Sequence, residues 1–166
     1  HKNDIGTTLF RYTNIYGPSM NLDRDIPPVV GAFTSKLLGG EEAIVYGDGT
    51  KRRDFLHIDD LTDFHIAALK ARGNEKDTQT YNAGSGENHS ILKVYKVVYA
   101  ACRKITNNIP SLINHKPDQL DEAQVTLANI EKAKEDLGWE PTISFKDGVE
   151  KTVKSLADMM ENNNDS

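Results

Sequence analysis

Short segments rich in β-branched and aromatic residues alternate along this chain with segments whose apolar residues recur every three or four positions. The first pattern predicts strands and the second predicts amphipathic helices, with glycine and proline turns between them. Strands are predicted at 7–12, 43–46, 53–58 and 80–83, and a fifth at 111–114. Because the two kinds of element alternate, we expect an α/β fold with at least one parallel strand pairing.

Five helices are predicted from their capping residues and apolar stripes. One runs over about 28–38 and ends at Gly39-Gly40, and the last is capped by Ser144 with Asp147. The other predicted N-caps are Asp60 (with Asp63 as its capping-box partner), Ser90 and Asn129. The predicted core stripes are Leu61, Phe64, Ala68 and Leu69 after Asp60, then Ile91, Tyr95, Val98, Cys102 and Ile105 after Ser90, and Val149, Val153, Leu156 and Met160 in the last helix.

Charge and cysteine usage exclude several classes of protein. The formal net charge of −5 gives no general attraction to nucleic acid or an anionic membrane, so we expect neither as a partner. No apolar run approaches the roughly 18 residues of a membrane span. The single cysteine, Cys102, lies in an apolar stripe, which predicts a buried thiol and a reducing, cytoplasmic compartment. The histidines show no metal-ligand spacing, and we assign none a catalytic role.

Two polar segments are candidates for binding an anion, and a third, glycine-rich segment is not. The basic run 51–53 follows a glycine turn, where a guanidinium can pair bidentately with phosphate, although a solvated basic turn is the alternative. Asn14 follows a strand and can donate into a cleft at its carboxyl end, or simply cap a turn. Gly84-Ser85-Gly86 lies between a strand and a helix but lacks the third glycine of a dinucleotide loop, so we interpret it as a connection.

The order of the motifs adds a specific resemblance. Six segments follow one another as they do in extended short-chain dehydrogenases/reductases that act on nucleotide sugars, a family of NAD-dependent epimerases and dehydratases. The chain resembles the C-terminal portion of such an enzyme, of the UDP-glucose 4-epimerase type. The matching segments are LFRYTNIYGP (9–18), IP (26–27), VYGDGT (45–50), RDFLHIDD (53–60), YNAGSG (81–86) and KAKEDLGWEP (132–141).

The resemblance implies roles for particular residues. Asn14 would contact the sugar nucleotide near its diphosphate, and Arg53 would hold the diphosphate. The backbone at Ile26 and the region of Tyr46 would frame the nucleotide base. Tyr12 would lie beside the nicotinamide of the cofactor.

One pair of positions departs from the common pattern of the family. Where many members have an arginine that binds phosphate and, three residues later, an acid that binds ribose, this chain has Gln119 and Glu122. Some relatives also carry glutamine at the first position, so Gln119 is kept as a candidate for the substrate site. Glu122 remains a candidate for the ribose hydroxyls.

The family's glycine-rich dinucleotide loop and its Tyr-x-x-x-Lys dyad have no counterpart in this sequence, so we assign no catalytic residue. The resemblance implies that residues 1–18 form a terminal strand of the dinucleotide-binding sheet, and that 19–166 form the substrate domain, with 80–106 returning to the Rossmann-type sheet. The parent enzyme would be an NAD-dependent 4-epimerase acting through a 4-keto intermediate. A 4,6-dehydratase of the same family and a standalone, non-catalytic module that binds a nucleotide sugar or a protein are the alternatives.

The sequence begins at His1 and runs almost directly into a strand, which indicates an internal start. We therefore expect a fragment that is inactive alone and whose N-terminal, cofactor-binding half is missing. The strands at 7–12 and 80–83 would expose apolar edges, so we expect them to pair with that half or to self-associate.

Overall fold

The computed structural model describes residues 6–18, 20–22, 27–72, 77–118 and 122–164. It contains both parallel strand pairs and helices, as the alternating pattern predicts, and the α/β class is confirmed. The elements are β1 (Thr7–Tyr12), β2 (Asn14–Tyr16), α1 (Val29–Leu38), β3 (Ala43–Tyr46), β4 (Arg52–His57), α2 (Ile58–Arg72), β5 (Thr78–Ala83), β6 (Asn88–Ser90), α3 (Ile91–Cys102), β7 (Ile113–Lys116), α4 (Glu131–Leu137) and α5 (Phe145–Asn164).

Within the described ranges, the strands form three small sheets. β1 pairs with β5 in parallel, so Tyr12 lies opposite Ala83 at the carboxyl ends. β4 is the central strand of a second sheet, parallel to β2 and antiparallel to β6. β3 pairs in parallel with β7. The short strands β2 and β6 were not predicted, because three residues are too few to show an alternating pattern.

Two hydrophobic clusters lie on opposite faces of β4, because successive side chains of a strand point to opposite sides. Phe55 belongs to the larger cluster, formed mainly by α1, α3, α5 and β3. Leu56 belongs to the smaller cluster, which joins α2, β5 and α4 around Phe64 and Trp139. The division at residue 18 and the assignment of 80–106 to a cofactor sheet remain predictions; β5 pairs with β1, whereas α3 packs in the larger cluster.

Close packing of α5 against this sheet depends on one glycine. A Cβ atom at Gly148 would lie 2.3 Å from the hydroxyl oxygen of Tyr16 and 2.9 Å from Cδ2 of His57. These distances are shorter than van der Waals contact, so a larger residue would push the helix away from β2 and β4. Because Gly148 has no side chain, α5 approaches close enough to bury Val149 and Val153.

Two of the predicted helix caps are confirmed. The Ser90 hydroxyl accepts from the amide of Lys93 at 3.2 Å. Ser144 and Asp147 exchange hydrogen bonds as a capping box, at 2.6 and 3.2 Å. In α4, Asn129 Oδ1 accepts from the amide of Glu131 at 3.0 Å, one residue before the N-cap position.

The prediction that Asp60 caps α2 is wrong. The helix already begins at Ile58, and Asp60 is a buried residue of its first turn. Its carboxylate instead accepts from the amides of Thr142 and Ile143, at 2.9 and 3.1 Å, and from the Thr142 hydroxyl at 3.0 Å. An acid at the start of a helix can cap that helix or accept hydrogen bonds from a distant segment, and the local sequence pattern is the same in both cases.

Two predicted core residues lie at the surface. Leu69 is 77% exposed on α2, and Ile105 lies beyond the end of α3 and is 42% exposed. Periodicity places a residue on a helix face but does not show how far the packed partner extends along it. Among the residues that the structure describes, no helix has the length and apolar character needed to cross a membrane.

Candidate functional site

Arg53 and Asp54 are neighbours on β4 and point to opposite sides of the strand. Nη1 of Arg53 donates to the carbonyl oxygens of Arg52 and Ala123, at 3.0 and 2.7 Å, and Nη2 donates to Oε2 of Glu122 at 3.1 Å. The segment that carries Glu122 runs alongside the start of β4, since Arg52 exchanges backbone hydrogen bonds with residues 124 and 126. This backbone pairing places Glu122 against Arg53.

A second cation completes a charged cluster, which we define as Lys51, Arg53, Asp118 and Glu122. Nζ of Lys51 lies 2.5 Å from Oδ1 of Asp118 and 3.3 Å from Oε2 of Glu122. The Lys51 side chain is only 8% exposed, so the interpretation of this position as part of a solvated turn is wrong. The hydrogen bond to Asp118 raises the pKa of Lys51 above its ordinary value, and the ammonium stays charged at neutral pH.

Asn14 lies beside the same strand. It is exposed in β2, and its side-chain amide donates to the backbone carbonyl oxygen of Asp54 at 2.8 Å. This bond fixes the Asn14 side chain one residue from Arg53. Of the residues that the sequence predicts for a site, Arg53 and Glu122 are therefore in contact, and Asn14 lies along the same strand.

Asp54 ties three chain segments together on the other side of β4. Its buried carboxylate accepts from the amides of Ser85, Gly86 and Ala128, at 2.7, 3.3 and 3.0 Å, and from the hydroxyls of Ser85 and Thr13, at 2.8 and 3.4 Å. A carboxylate with this many donors organises the glycine turn that follows β5. The amides that could hold a phosphate in this turn therefore already have a partner.

The remaining predicted residues lie elsewhere. Tyr12 is 52% exposed at the end of β1, and its hydroxyl lies 2.9 Å from Nε2 of His65 on α2. Tyr46 ends β3 and is 46% exposed. Ile26 and Gln119 lie outside the described residues.

The charged cluster suits a ligand that carries both an anion and hydroxyl groups. Two cations share one carboxylate oxygen of Glu122, so an incoming anion can replace Glu122 on Arg53 while Lys51 still neutralises the carboxylate. Carboxylate oxygens accept hydrogen bonds from hydroxyl groups, and Asp118 and Glu122 are both exposed. The arrangement is therefore a candidate site for a ligand that carries a phosphate next to a sugar, although its two cations are balanced by two carboxylates.

Sequence reasoning missed Asp54 and Asp118. Asp54 falls within one of the recognised motifs, and an acid next to an arginine in a strand otherwise rich in apolar residues is a signal of a buried, bonded carboxylate. Asp118 carries no such signal, because it lies in a polar stretch without periodicity.

Comparisons with known proteins find relatives among the enzymes that act on nucleotide sugars. The family model described as GDP-mannose 4,6 dehydratase matches residues 1–152. The UDP-glucuronate 4-epimerase of Thermodesulfobacterium geofontis (strain OPF15) is 35% identical over 155 residues, which are 92% of this chain and 44% of that protein.

Two solved structures have a similar fold. The UDP-glucose 4-epimerase of Thermotoga maritima with UDP-glucose has a TM-score of 0.82 and 28% identity, covering 92% of this chain and 46% of that one. The UDP-glucuronic acid 4-epimerase of Bacillus cereus, in complex with UDP-glucuronic acid and NAD, has a TM-score of 0.77 and 28% identity, covering 92% and 45%. The chain spans less than half the length of each of these three proteins.

Proposed function

The chain belongs to the GDP-mannose 4,6 dehydratase family of extended short-chain dehydrogenases, and from that membership we propose that it is the substrate-binding part of an NAD-dependent nucleotide-sugar 4-epimerase. The family match confirms the resemblance carried by the six motifs. The observation that supports the substrate role is the juxtaposition of Arg53, Glu122 and Asn14 beside β4. The relatives named above are described as epimerases of UDP sugars.

Each residue of this group has a role that its chemistry allows. The Arg53 guanidinium turns from Glu122 to the diphosphate, where it makes charge-assisted hydrogen bonds. Glu122 accepts from the ribose hydroxyls, and the Asn14 amide, held one residue away, lies near the diphosphate. Tyr46, Ile26 and Gln119 stay predictions for the base and phosphate contacts.

Among the described residues, only the carboxyl end of β1, at Tyr12, is a candidate for contact with NAD. The amides of Ser85 and Gly86 are bound to Asp54, so this turn does not hold the cofactor's diphosphate. Tyr12 is half exposed at the carboxyl end of a parallel strand, where cofactors of α/β sheets bind, and we place it beside the nicotinamide. When bound, NAD supplies reversible hydride transfer at the sugar, through a 4-keto intermediate.

We propose that the remaining cofactor contacts and the catalytic dyad belong to an N-terminal half, without which this chain is inactive. The exposed apolar side chains of β1, Leu9 and Tyr12, support a partner for that strand, either this half or a second copy of the chain. Intact-mass analysis of the protein in extracts of its source tests the proposed N-terminal half: a mass near twice that of this chain supports it, and a mass equal to that of this chain contradicts it.

We propose the cytoplasm as the compartment, because the single cysteine, Cys102, is a buried free thiol.

One alternative activity is favoured by the description of the matching family, a 4,6-dehydratase. Both reactions begin with the same 4-keto intermediate, so the substrate contacts of this chain do not separate them. Nuclear magnetic resonance of the product of the intact enzyme does: an epimerase yields the 4-epimer with its C6 group unchanged, and a dehydratase yields a 4-keto-6-deoxy sugar. A standalone binding module would yield neither.

The substrate role is tested by calorimetric binding of UDP-glucose and UDP-glucuronic acid to the chain. We expect Arg53→Ala to weaken binding by about 1.5–3 kcal/mol, the range for a hydrogen bond to a charged group. Arg52→Ala is the matched control, because Arg52 is the neighbouring arginine, is exposed, and donates instead to Asn88 at 2.5 and 2.8 Å. Equal affinities of wild type and Arg53→Ala would contradict the role of Arg53.

A further inference from the structure

Lys51 is the more deeply buried cation of the charged cluster. Its side chain is 8% exposed, compared with 16% for Arg53, and Nζ contacts Asp118 and Glu122. Burying an ammonium group without a carboxylate beside it costs free energy of folding. We therefore expect Lys51 and its two carboxylate partners to stay close to one another. The resemblance to known motifs assigns no role to Lys51.

The two cations share one oxygen atom. Oε2 of Glu122 lies 3.1 Å from Nη2 of Arg53 and 3.3 Å from Nζ of Lys51. Arg53 has two further acceptors in backbone carbonyl groups, which hold its Nη1 independently of Glu122. Arg53 can therefore exchange Glu122 for a phosphate oxygen without losing its place on β4.

The fate of Glu122 after that exchange depends on Lys51. A diphosphate on Arg53 brings negative charge close to the Glu122 carboxylate, and like charges at short range repel strongly in a partly buried site. Without a cation of its own, Glu122 would turn toward solvent, because it is 43% exposed and free to do so. Lys51 is less exposed than Glu122, and its Nζ lies 3.3 Å from Oε2 of Glu122, in addition to its shorter contact with Asp118, so it can hold Glu122 beside Arg53.

We propose that Lys51 is a positioning residue that retains Glu122 when Arg53 binds the diphosphate, and so determines specificity for a ribose that carries its hydroxyls. This inference rests on the proposed function, since it requires that Arg53 and Glu122 bind the nucleotide. Lys51 acts through Glu122 and does not contact the ligand. Removing the Lys51 side chain should therefore reduce the preference for ribose over dideoxyribose. It should have less effect on the preference for a nucleoside diphosphate over a monophosphate.

The test is isothermal titration calorimetry of this chain with UDP, 2′,3′-dideoxy-UDP and UMP. We expect wild type to prefer UDP over the dideoxy analogue by about tenfold or more, as a hydrogen bond to a carboxylate requires. In Lys51→Met, we expect that preference to fall below about threefold. The preference for UDP over UMP should stay within about twofold of the wild-type value, since Arg53 still binds the diphosphate.

Two further variants serve as controls. Lys51→Arg keeps the charge and should restore most of the preference for ribose. Lys36→Met removes a lysine that also forms an ion pair, with Glu41, but at the surface, and should change neither preference. If Lys51→Met does not fold, as judged by circular dichroism, Lys51→Gln carries the test, because it keeps a donor without the charge; a partial loss of the ribose preference is then expected.

The other outcomes separate the inference from the proposed function. If wild type does not bind UDP, the proposed function fails. If wild type binds UDP but does not prefer it over the dideoxy analogue, the role of Glu122 fails. If Lys51→Met keeps the full ribose preference, the inference alone is overturned; a reduced preference for UDP over UMP in that variant would show that Lys51 binds phosphate directly.

Discussion

The two hydrophobic clusters on either side of β4 differ in how completely they are enclosed. Among the residues that the structure describes, the larger cluster contains 14 buried residues and is surrounded by α1, α3 and α5 together with β3. The smaller cluster contains 7 buried residues in the same described part of the chain, between the β1–β5 pair and the helices α2 and α4. Next to the smaller cluster, Leu9 on β1 and Leu69 on α2 are 52% and 77% exposed. The larger cluster is therefore covered by more helices than the smaller one, which is covered by α2 and α4.

Each cluster contains a unique reporter. The single tryptophan, Trp139, is buried in the smaller cluster, and the single cysteine, Cys102, is buried in the larger one. Burial raises the pKa of the Cys102 thiol to about 12, so the folded state reacts slowly with thiol reagents. Tryptophan fluorescence and labelling of the thiol by 4,4′-dithiodipyridine can therefore follow the two clusters separately during unfolding by urea. We expect the transition seen by Trp139 to come first.

The largest effect is expected from Phe64→Ala. Phe64 is fully buried in the smaller cluster, and its ring centroid lies 5.1 Å from that of Phe10 and 4.8 Å from that of Trp139. Removing it should cost about 3–5 kcal/mol, from lost burial and the cavity left behind. We expect the fluorescence transition of Trp139 to move to much lower urea while the labelling transition of Cys102 moves little.

Phe33→Ala is the matched control in the larger cluster. Phe33 is 2% exposed and packs edge-on against Tyr95, with ring centroids 6.0 Å apart. The loss of free energy should be of similar size but appear first in the labelling of Cys102. Identical shifts of both transitions in both variants would show that the two clusters unfold as one cooperative unit.

A second, smaller effect is expected where the clusters are joined. Asp60 on α2 accepts from Thr142 and Ile143 in the segment that leads from Trp139 into α5, and its backbone carbonyl accepts from Nε1 of Trp139 at 3.1 Å. Asp60→Asn replaces one acceptor by a donor, which leaves a buried amide unpaired at a cost of about 1–3 kcal/mol. We expect this variant to widen the gap between the two urea transitions.

Asp63→Asn is the control for this clip. Asp63 lies one turn further along the same helix and is exposed, so its substitution should change stability by no more than about 0.5 kcal/mol. If Asp60→Asn lowers both transitions by the same amount, the segment 139–143 does not couple the clusters separately from the rest of the fold.

The same two regions show how much the sequence predicts. The limits of β1, β3 and α1 agree with the sequence pattern to within one residue, because glycine, proline and asparagine turns mark their ends. The stripe of α3 correctly predicts Tyr95 and Val98 as buried, in the enclosed cluster. The stripe of α2 fails at Leu69, because on the open side nothing within the described residues covers that position.

For the candidate site, the motifs predicted residues but not their mutual bonds. Arg53, Glu122 and Asn14 were predicted individually, and the structure places them beside one strand. The burial of Lys51 and the long-range bonds of Asp54 depend on segments that are some 30 to 70 residues away in the chain, such as Ser85 and Asp118. A local sequence pattern does not contain such pairings, because it describes a residue only relative to its neighbours in the chain.

The smallest effect is expected from pH, and it should act on the larger cluster. His57 ends β4 on the face of Phe55, is fully buried, and stacks edge-on against Tyr16 with ring centroids 5.3 Å apart. Burial lowers the pKa of His57 below its ordinary value of 6.5, although Asp59, with Oδ2 3.5 Å from Nδ1, partly opposes this. Nε2 of His57 has no hydrogen-bond partner among the described residues, so a proton there would be poorly solvated.

The direction of the pH effect follows from which state binds the proton first. The unfolded chain takes up a proton near pH 6.5, before the folded chain does, so the stability due to neutral His57 is complete above that pH and is lost as the pH falls toward the lower pKa of the folded state. The slope for one histidine cannot exceed about 1.4 kcal/mol per pH unit. Between pH 7.5 and about 5.5, we expect the labelling transition of Cys102 to move to lower urea more than the fluorescence transition of Trp139.

The variant His57→Gln should flatten this pH dependence. His89→Gln is the control and should remove only a part of it. Burial also lowers the pKa of His89, but the His89 side chain is 20% exposed and is therefore less enclosed than that of His57. If the pH dependence of the Cys102 transition is unchanged in His57→Gln, the larger cluster does not depend on a neutral histidine, and its difference from the smaller cluster rests on apolar packing alone.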